Sequence, residues 1–306
     1  MNKYWAFGLH ILSEIQFPEF LPALFDEADI FISFGTTPEK IEGEDVIHGV
    51  QLSVSPNEYL LKINNIATYY VNDGQNIIVQ PAFNADIDTI RLFLLSNAMA
   101  AVLHQRNSIP FHASGIILND EVILFTGRSG AGKSTTIFSL IQDGYELFND
   151  DVCVLNYNEA TRKVEAVASY PMIKLWENTI NEIVPERTER HHKLRPDLPK
   201  YGFFQHEKFS QRSFPISRVF ILKTDNLQDE FTCIELNKIA GFNALQQNTY
   251  RRRQVDMMQI RQHHFEMISR LANQAVISEI KRPMSGSDIS DFISFIKAQL
   301  PGNGKG

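Results

Sequence analysis

Only two cysteines occur in 306 residues, Cys153 and Cys233, and they sit in the apolar runs DVCVL and FTCIEL with no CxxC spacing. That excludes a disulfide framework and a thiolate metal site, and leaves two buried thiols as the expectation. A basic surplus is also missing. Lys and Arg number 29 against 36 Asp and Glu, for a net charge of -7, which argues against a nucleic-acid partner. No stretch approaches the roughly 18 consecutive apolar residues of a membrane span. The first 17 residues, MNKYWAFGLHILSEIQF, lack a sustained apolar core before a small-residue cleavage site. The expectation is a soluble, cytoplasmic protein with no membrane partner. There is no internal repeat and no low-complexity tract. What remains is 43% hydrophobic and 21% charged, enough for one large or two modest globular domains with their own cores.

Residues 1–85 read as a β-rich module. WAFGLHIL, ADIFISFG, GVQLSVS, EYLLKIN, IATYYVN and NIIVQPA are short apolar or alternating runs between Asn, Asp, Gly and Pro signals. Residues 86–108 then carry apolar positions at helical spacing behind an aspartate, which predicts one long connecting helix. Residues 109–300 alternate strand and helix patterns. FHASGIIL and EVILFTG flank an Asn119-Asp120 turn, a helix is expected from Lys133 to Asp143, and helices are expected at 238–252, 261–274 and 288–300. The stretch 171–215 mixes a short helical WENTINEIV with a charged, proline-broken passage that lacks periodicity and reads as a loop or a substrate-ordered lid. Residues 301–306, PGNGKG, read as a disordered tail. The fold class is α/β, a β-rich module followed by a mixed sheet flanked by helices.

Gly127-Arg128-Ser129-Gly130-Ala131-Gly132-Lys133-Ser134 satisfies GxxxxGK[ST], with a predicted strand entering it and a predicted helix leaving. The glycines let backbone N–H groups turn inward around phosphate oxygens, and the helix aims its positive end at the same point. Lys133 is expected to reach the β- and γ-phosphates of a nucleotide, and Ser134 to hold Mg²⁺. The nucleotide ligands would be residues 127–134 together with Thr135.

Asp150 and Asp151 follow a short helix downstream and precede VCVL, inside strand-like apolar sequence where uncompensated charge is costly. A cation beside the phosphates would compensate them. One carboxylate can serve that cation while the other accepts a proton from an attacking hydroxyl.

The stretch FHASGIILNDEVILFTGRSGAGKSTTIFSLIQDGYELFNDDVCVL, Phe111 to Leu155, resembles the catalytic core of the HPr kinase/phosphorylase family, and more distantly the phosphoenolpyruvate carboxykinase nucleotide site. The resemblance implies a P-loop kinase core using ATP and Mg²⁺. It implies His112 near the transferred phosphate, Lys133 as a catalytic cation, and Asp150 and Asp151 as the acidic pair. Spacing leaves the two aspartates' roles open; the working assignment puts Asp150 as base and Asp151, with Ser134, on the metal. Thr135 stands where bifunctional members carry an acidic residue, and SYPMIKLWENT replaces their glycine-rich signature. The pattern is closer to kinase-like members of peptide biosynthesis, including those that phosphorylate a terminal serine of lasso-peptide precursors. Neither HPr as acceptor nor the reverse activity is therefore carried over. A homo-oligomer is a further option that the resemblance implies.

The expected function is an ATP-dependent kinase acting on a hydroxyl, most simply a serine of a small protein or precursor peptide. The alternatives are a small-molecule acceptor, such as free serine or a sugar, and a nucleotide-gated binding protein without transfer. Lys174 in MIKLW is open to two readings, a snorkelling side chain or a phosphate contact. Arg187, Arg190, Lys193 and Arg195 form either a solvated face or a clamp, and Arg251 to Arg253 complement a helix end. His191, His192, His263 and His264 lack metal-ligand companions.

Overall fold

The computed structural model describes residues 1–184, 192–195, 197–225, 229–283 and 288–302. Its first nine strands, between Asn2–Ala6 and Asn76–Pro81, form one sheet. Most neighbours are antiparallel, but Leu9–Ser13 and Asn76–Pro81 each run parallel to Ile30–Phe34. Alternation sets the faces: in Ala67–Asn72 every second residue, Ala67, Tyr69 and Val71, is buried. Those side chains join a core that also takes in Val152, Val154, Val167 and Tyr170 from the second half of the chain. The Phe7 N–H donates to the Ser169 carbonyl at 2.8 Å, tying the two halves through the backbone as well.

The helical run Ile87–Gln105 follows, capped by Asp86, which accepts from the Thr89 N–H. It is continuous as expected, with a π-helical turn at Leu94–Ala98. Among the described residues this one helix is long and apolar enough to cross a membrane, with a mean hydropathy of 1.2, a property that no unbroken apolar run announces. Two thirds of it is buried inside the protein, which makes it a core helix.

The second large sheet is built around the 13-residue strand Ser213–Asp225. Its start pairs antiparallel with Lys163–Ala168, and its later part lies parallel both to Glu121–Gly127 and to Val276–Pro283. Glu121–Gly127 forms a hairpin with Ala113–Leu118 through Asn119 and Asp120, both at positive φ (54° and 58°), the two-residue turn that twisted strands favour. Glu146–Asn149 pairs on the far side of Ala113–Leu118. Helices Lys238–Gln247 and Arg261–Gln274 cover one face through Leu245, Ile268 and Leu271. Helices Lys133–Gln142 and Ile289–Gln299 cover the other through Ile137, Phe138 and Ile296. This is a mixed α/β architecture.

Three expectations change. The passage expected as a loop or lid within 171–215 contains a three-stranded antiparallel sheet, His192–Arg195, Leu198–Phe204 and Met172–Trp176, while the short helix expected in WENTINEIV is present as Glu177–Ile183 beside it. Close packing supports it: a Cβ on Gly202 would lie 2.5 Å from the Met172 sulfur. The helix expected over 238–252 stops at Gln247, because Thr249 bridges to Phe111 and the Tyr250 N–H donates to the Pro110 carbonyl. Arg251 then takes a left-handed φ of 52° before the short helix Arg252–Met257, so the arginines flank a break and do not end one long helix. Both cysteines are free, Cys153 buried and Cys233 half-buried. Arg187, Arg190, His191 and the tail residues 303–306 lie outside the described residues.

Two buried histidines link these helices. His104 donates through Nε2 to the Tyr250 carbonyl at 3.2 Å, and His264 Nε2 lies 2.7 Å from the Thr249 hydroxyl. Burial pushes each down to about 4, and the nearby Arg252 guanidinium adds to the effect. A depressed folded-state value means that the stability from keeping the rings neutral is fully present above the unfolded value of about 6.5 and is lost as pH falls toward 4. Thermal unfolding should shift downward through that window, with a slope of up to about 1.4 kcal/mol per pH unit per histidine. A pH-scan of His104→Asn should show a shallower fall; an identical slope in the variant would contradict the assignment.

Candidate active site

The carboxyl ends of three parallel strands meet at one edge of the second sheet. Gly127 pairs with Leu222, Leu222 with Ile280, and Thr224 with Arg282. Clefts at such carboxyl ends are where open α/β sheets hold ligands. The glycine-rich loop leaves Glu121–Gly127 here. Gly127 has φ 142° and lies so close to the neighbouring strand that a Cβ would stand 2.4 Å from the Leu222 carbonyl oxygen, which leaves glycine as the residue that fits. Gly132, at φ 98°, starts the helix Lys133–Gln142. Lys133 is buried and folds back over the loop, donating to the carbonyls of Gly127 (2.8 Å) and Arg128 (3.3 Å).

The loop separates two cavities. Ser129, Gly130, Gly132, Lys133, Ser134 and Thr135 line a cleft of about 360 Å³ shared with His112, Asp151, Lys174, Lys200 and Arg282. Gly127, Arg128 and Ala131, again with Ser129 and Gly130, line a second cavity of about 680 Å³ against Leu222 and the end of Lys238–Gln247.

The two aspartates face different ways. Between Glu146–Asn149 and Cys153–Asn158 the Val152 N–H donates to the Asp150 carbonyl (3.0 Å) around Asp151, whose φ is 73°. This is the three-residue γ-turn, rare because its central residue is strained. It sends Asp150 inward. Asp150 is 1% exposed; its Oδ1 accepts from the hydroxyls of Ser134 (2.8 Å) and Ser114 (2.6 Å), and its Oδ2 accepts from the Lys174 backbone N–H (2.8 Å). Asp151 instead opens onto the cleft. Its Oδ2 meets the Lys174 ammonium at 2.7 Å and its Oδ1 lies 3.4 Å from His112 Nδ1.

Charge explains the stability of this arrangement. Burial alone would raise the Asp151 carboxyl, but the Lys174 ammonium and then His112 outweigh it and hold Asp151 well below the usual carboxylate range. Burial likewise opposes the Lys174 charge, yet Asp151 and then Tyr170 raise it well above an ordinary lysine. The pair is therefore fully ionised around neutral pH. His112 Nδ1 lies 2.7 Å from the Asp151 carbonyl oxygen, an acceptor only, so Nδ1 carries the proton and donates it there. Its Nε2 is left as the ring's acceptor. Burial is the largest influence on His112 and lowers it below the ordinary histidine value, against the partial opposition of Asp151.

Ser134 on the cleft wall and Asp150 directly behind it supply two hard oxygens 2.8 Å apart, which suits Mg²⁺ completed by phosphate and water oxygens. Among the described residues no cluster of three or more His, Cys, Asp or Glu could hold a metal by itself. The fit is to a metal that arrives with a phosphate ligand.

The fold thus brings together His112, Lys133, Ser134, Asp150 and Asp151, and adds Lys174 as the ion-pair partner of Asp151. Sequence reasoning missed Ser114, Lys200 and Arg282. Ser114 lies two residues after His112 in the same strand-like run, but nothing in the sequence says that it faces the aspartates. Lys200 sits 5.4 Å from the Trp176 ring, on the three-stranded sheet read as a loop. Of the basic cluster expected as a solvated face or a clamp, Lys193 and Arg195 belong to the His192–Arg195 strand and do not line the cleft.

No family model matches the chain, and no curated protein matches it in sequence. Among solved structures it superposes on the Hpr(Ser) kinase/phosphatase from Coxiella burnetii with a TM-score of 0.32 and 12% identity, covering 61% of this chain and 90% of that one. So loose a superposition leaves the chemistry to the residues of the cleft.

In an NMR titration His112, assigned by comparison with His112→Gln, should be the Nδ1–H tautomer and should titrate below about 6.5. An Nε2–H tautomer, or a midpoint above that value, would contradict the geometry.

Proposed function

We propose that this protein is an ATP-dependent kinase that transfers the γ-phosphoryl group to a hydroxyl, in the first instance the serine of a small protein or peptide. The observation that carries the reading is the divergence of Asp150 and Asp151 beside the glycine-rich loop: one carboxylate bonded to Ser134, the next facing the cleft between Lys174 and His112. A nucleotide sensor needs the first of these and has no use for the second. The serine acceptor rests on the resemblance of Phe111–Leu155 to the HPr kinase/phosphorylase core.

In this reading the loop N–H groups bind the donor phosphates. The Lys133 ammonium has three hydrogens, two of which go to loop carbonyls, and it can turn the third to a phosphate oxygen. Ser134 and Asp150 would hold Mg²⁺, which when bound supplies charge stabilisation to the phosphate oxygens. Asp151 accepts the hydrogen bond of the incoming hydroxyl and orients its oxygen toward the γ-phosphorus. As the new O–P bond forms and the bond to the β-phosphate oxygen breaks, the hydroxyl proton passes to Asp151 and ADP leaves. An aspartate held so firmly ionised is a weak base, which suits a loose transition state in which the proton moves late. Lys174 keeps Asp151 charged and aimed, and His112 pins the strained turn through the Asp151 carbonyl. The working assignment of Asp150 as base and Asp151 as metal ligand is accordingly reversed. Asp150 already accepts three hydrogen bonds and lies behind the cleft wall, whereas Asp151 is part of that wall.

Incubation with γ-labelled ATP, Mg²⁺ and separate acceptor pools of single-serine peptides, free serine and sugars tests the reading. Label should pass to a peptide serine, and Asp151→Asn should cut the rate by about 10²- to 10⁴-fold. Tight nucleotide binding with no labelled product from any pool would favour a nucleotide-gated binding protein. Full transfer by Asp151→Asn would remove Asp151 from the base role.

A further inference from the structure

The last strand of the parallel set, Val276–Pro283, ends in a side chain that no motif announces. Arg282 pairs in register with Thr224, two residues beyond the Leu222 that lies against Gly127, so its backbone stands at the same carboxyl edge as the loop. Alternation puts Arg282 on the face of Ile280, which packs with Phe138 and Phe292 on the side of Lys133–Gln142. Lys281, on the opposite face, is spent on Asp225 at 3.1 Å.

The Arg282 guanidinium reaches across the start of that helix. Its Nη2 would be 3.7 Å, and its Cζ 3.8 Å, from a Cβ built on Gly132, and it lines the cleft with Lys133, Ser134 and Thr135. Among the described residues it has no carboxylate partner and no hydrogen bond. Its Nε is fully buried without a partner, and the guanidinium lies over the Phe292 ring face at 5.6 Å. Burial lowers its proton affinity with nothing to oppose the effect. Arginine stays charged in proteins, so a half-buried, unpaired guanidinium is costly unless an anion meets it. Of the other cations of the cleft, Lys133 is engaged on carbonyls and Lys174 on Asp151, while Lys200, like Arg282, meets only a ring face, that of Trp176.

We propose that Arg282 is a phosphate-binding residue of the nucleotide cleft, a guanidinium supplied from the last parallel strand across Gly132 to the phosphate chain of the donor. The inference rests on the nucleotide reading above and adds the residue that closes the loop from its far side. Gly132 runs directly beside it: a Cβ there would only touch the guanidinium, at 3.7 to 3.9 Å, and it is the φ of 98° that calls for glycine. A planar donor fork fits two oxygens of a di- or triphosphate, which an ammonium cannot do.

The test is equilibrium binding of fluorescent ATP and ADP to the wild-type chain, Lys133→Ala, Arg282→Lys and Arg282→Gln, with thermal midpoints measured without nucleotide. Arg282→Gln should raise both dissociation constants by about 10- to 100-fold at an unchanged midpoint, and Arg282→Lys should recover part of the loss. Should Arg282→Gln also lower the midpoint, Arg282→Lys carries the test, with a weakening of at least about threefold expected. Wild-type affinity in both Arg282 variants, with binding lost in Lys133→Ala, would overturn the role of Arg282 and leave the nucleotide site standing. No nucleotide binding by the wild-type chain would overturn the site and this proposal together.

Discussion

The turn at Asp151 governs the site. Two consecutive carboxylates would ordinarily repel one another and, in a strand, would point to opposite faces of the sheet. The γ-turn does something different. It costs on the order of 1–3 kcal/mol of backbone strain, and it turns one carboxylate into the protein toward Ser134 and Ser114 while the next faces the cleft. Strain of that kind persists only where the surroundings over-determine it. Here the Asp151 carbonyl is held by His112, its carboxylate by Lys174, and the Asp150 carboxylate by three donors.

Those restraints come from segments far apart in the chain, which is why so much of the fold is needed for so small a cleft. His112 and Ser114 arrive on one arm of a hairpin whose other arm enters the glycine-rich loop. Lys174 belongs to a small separate sheet, and its backbone N–H and its ammonium grip the two aspartates in turn. Ser213–Asp225 fixes the spacing between the loop and Arg282 by lying parallel to both of their strands. The N-terminal sheet touches the arrangement from behind, where Phe7 packs on Tyr170 at 5.5 Å between ring centres.

What the sequence discloses here is local. The glycine-rich loop between strand and helix, the Asn119-Asp120 turn, the aspartate-capped helix at 87–105 and the paired aspartates are each readable within a short window, because each depends on backbone preferences or short-range spacing. The direction in which each aspartate points is not readable, since it follows from one positive φ and from hydrogen bonds to residues 16 to 39 positions away. The sheet hidden in 171–215 was obscured for a similar reason: its strands are short, prolines and charges interrupt them, and their pairing spans the break between Trp176 and Lys200. The end of the helix at Gln247 answers to a bridge between Thr249 and Phe111, more than a hundred residues earlier. Arg282 looks, in sequence, like any basic residue closing a strand; only the register of three parallel strands brings it to the loop.

The proposed chemistry depends on a division of labour between two neighbouring carboxylates, and the dependence of ATP binding on Mg²⁺ reads that division directly. ATP affinity measured with and without Mg²⁺ in Asp150→Asn and Asp151→Asn should separate them. Asp150→Asn is expected to lose most of the Mg²⁺-dependent gain in affinity, and Asp151→Asn to keep it while failing to transfer phosphate. The opposite pattern, with the Mg²⁺ effect lost in Asp151→Asn and intact in Asp150→Asn, would contradict the account.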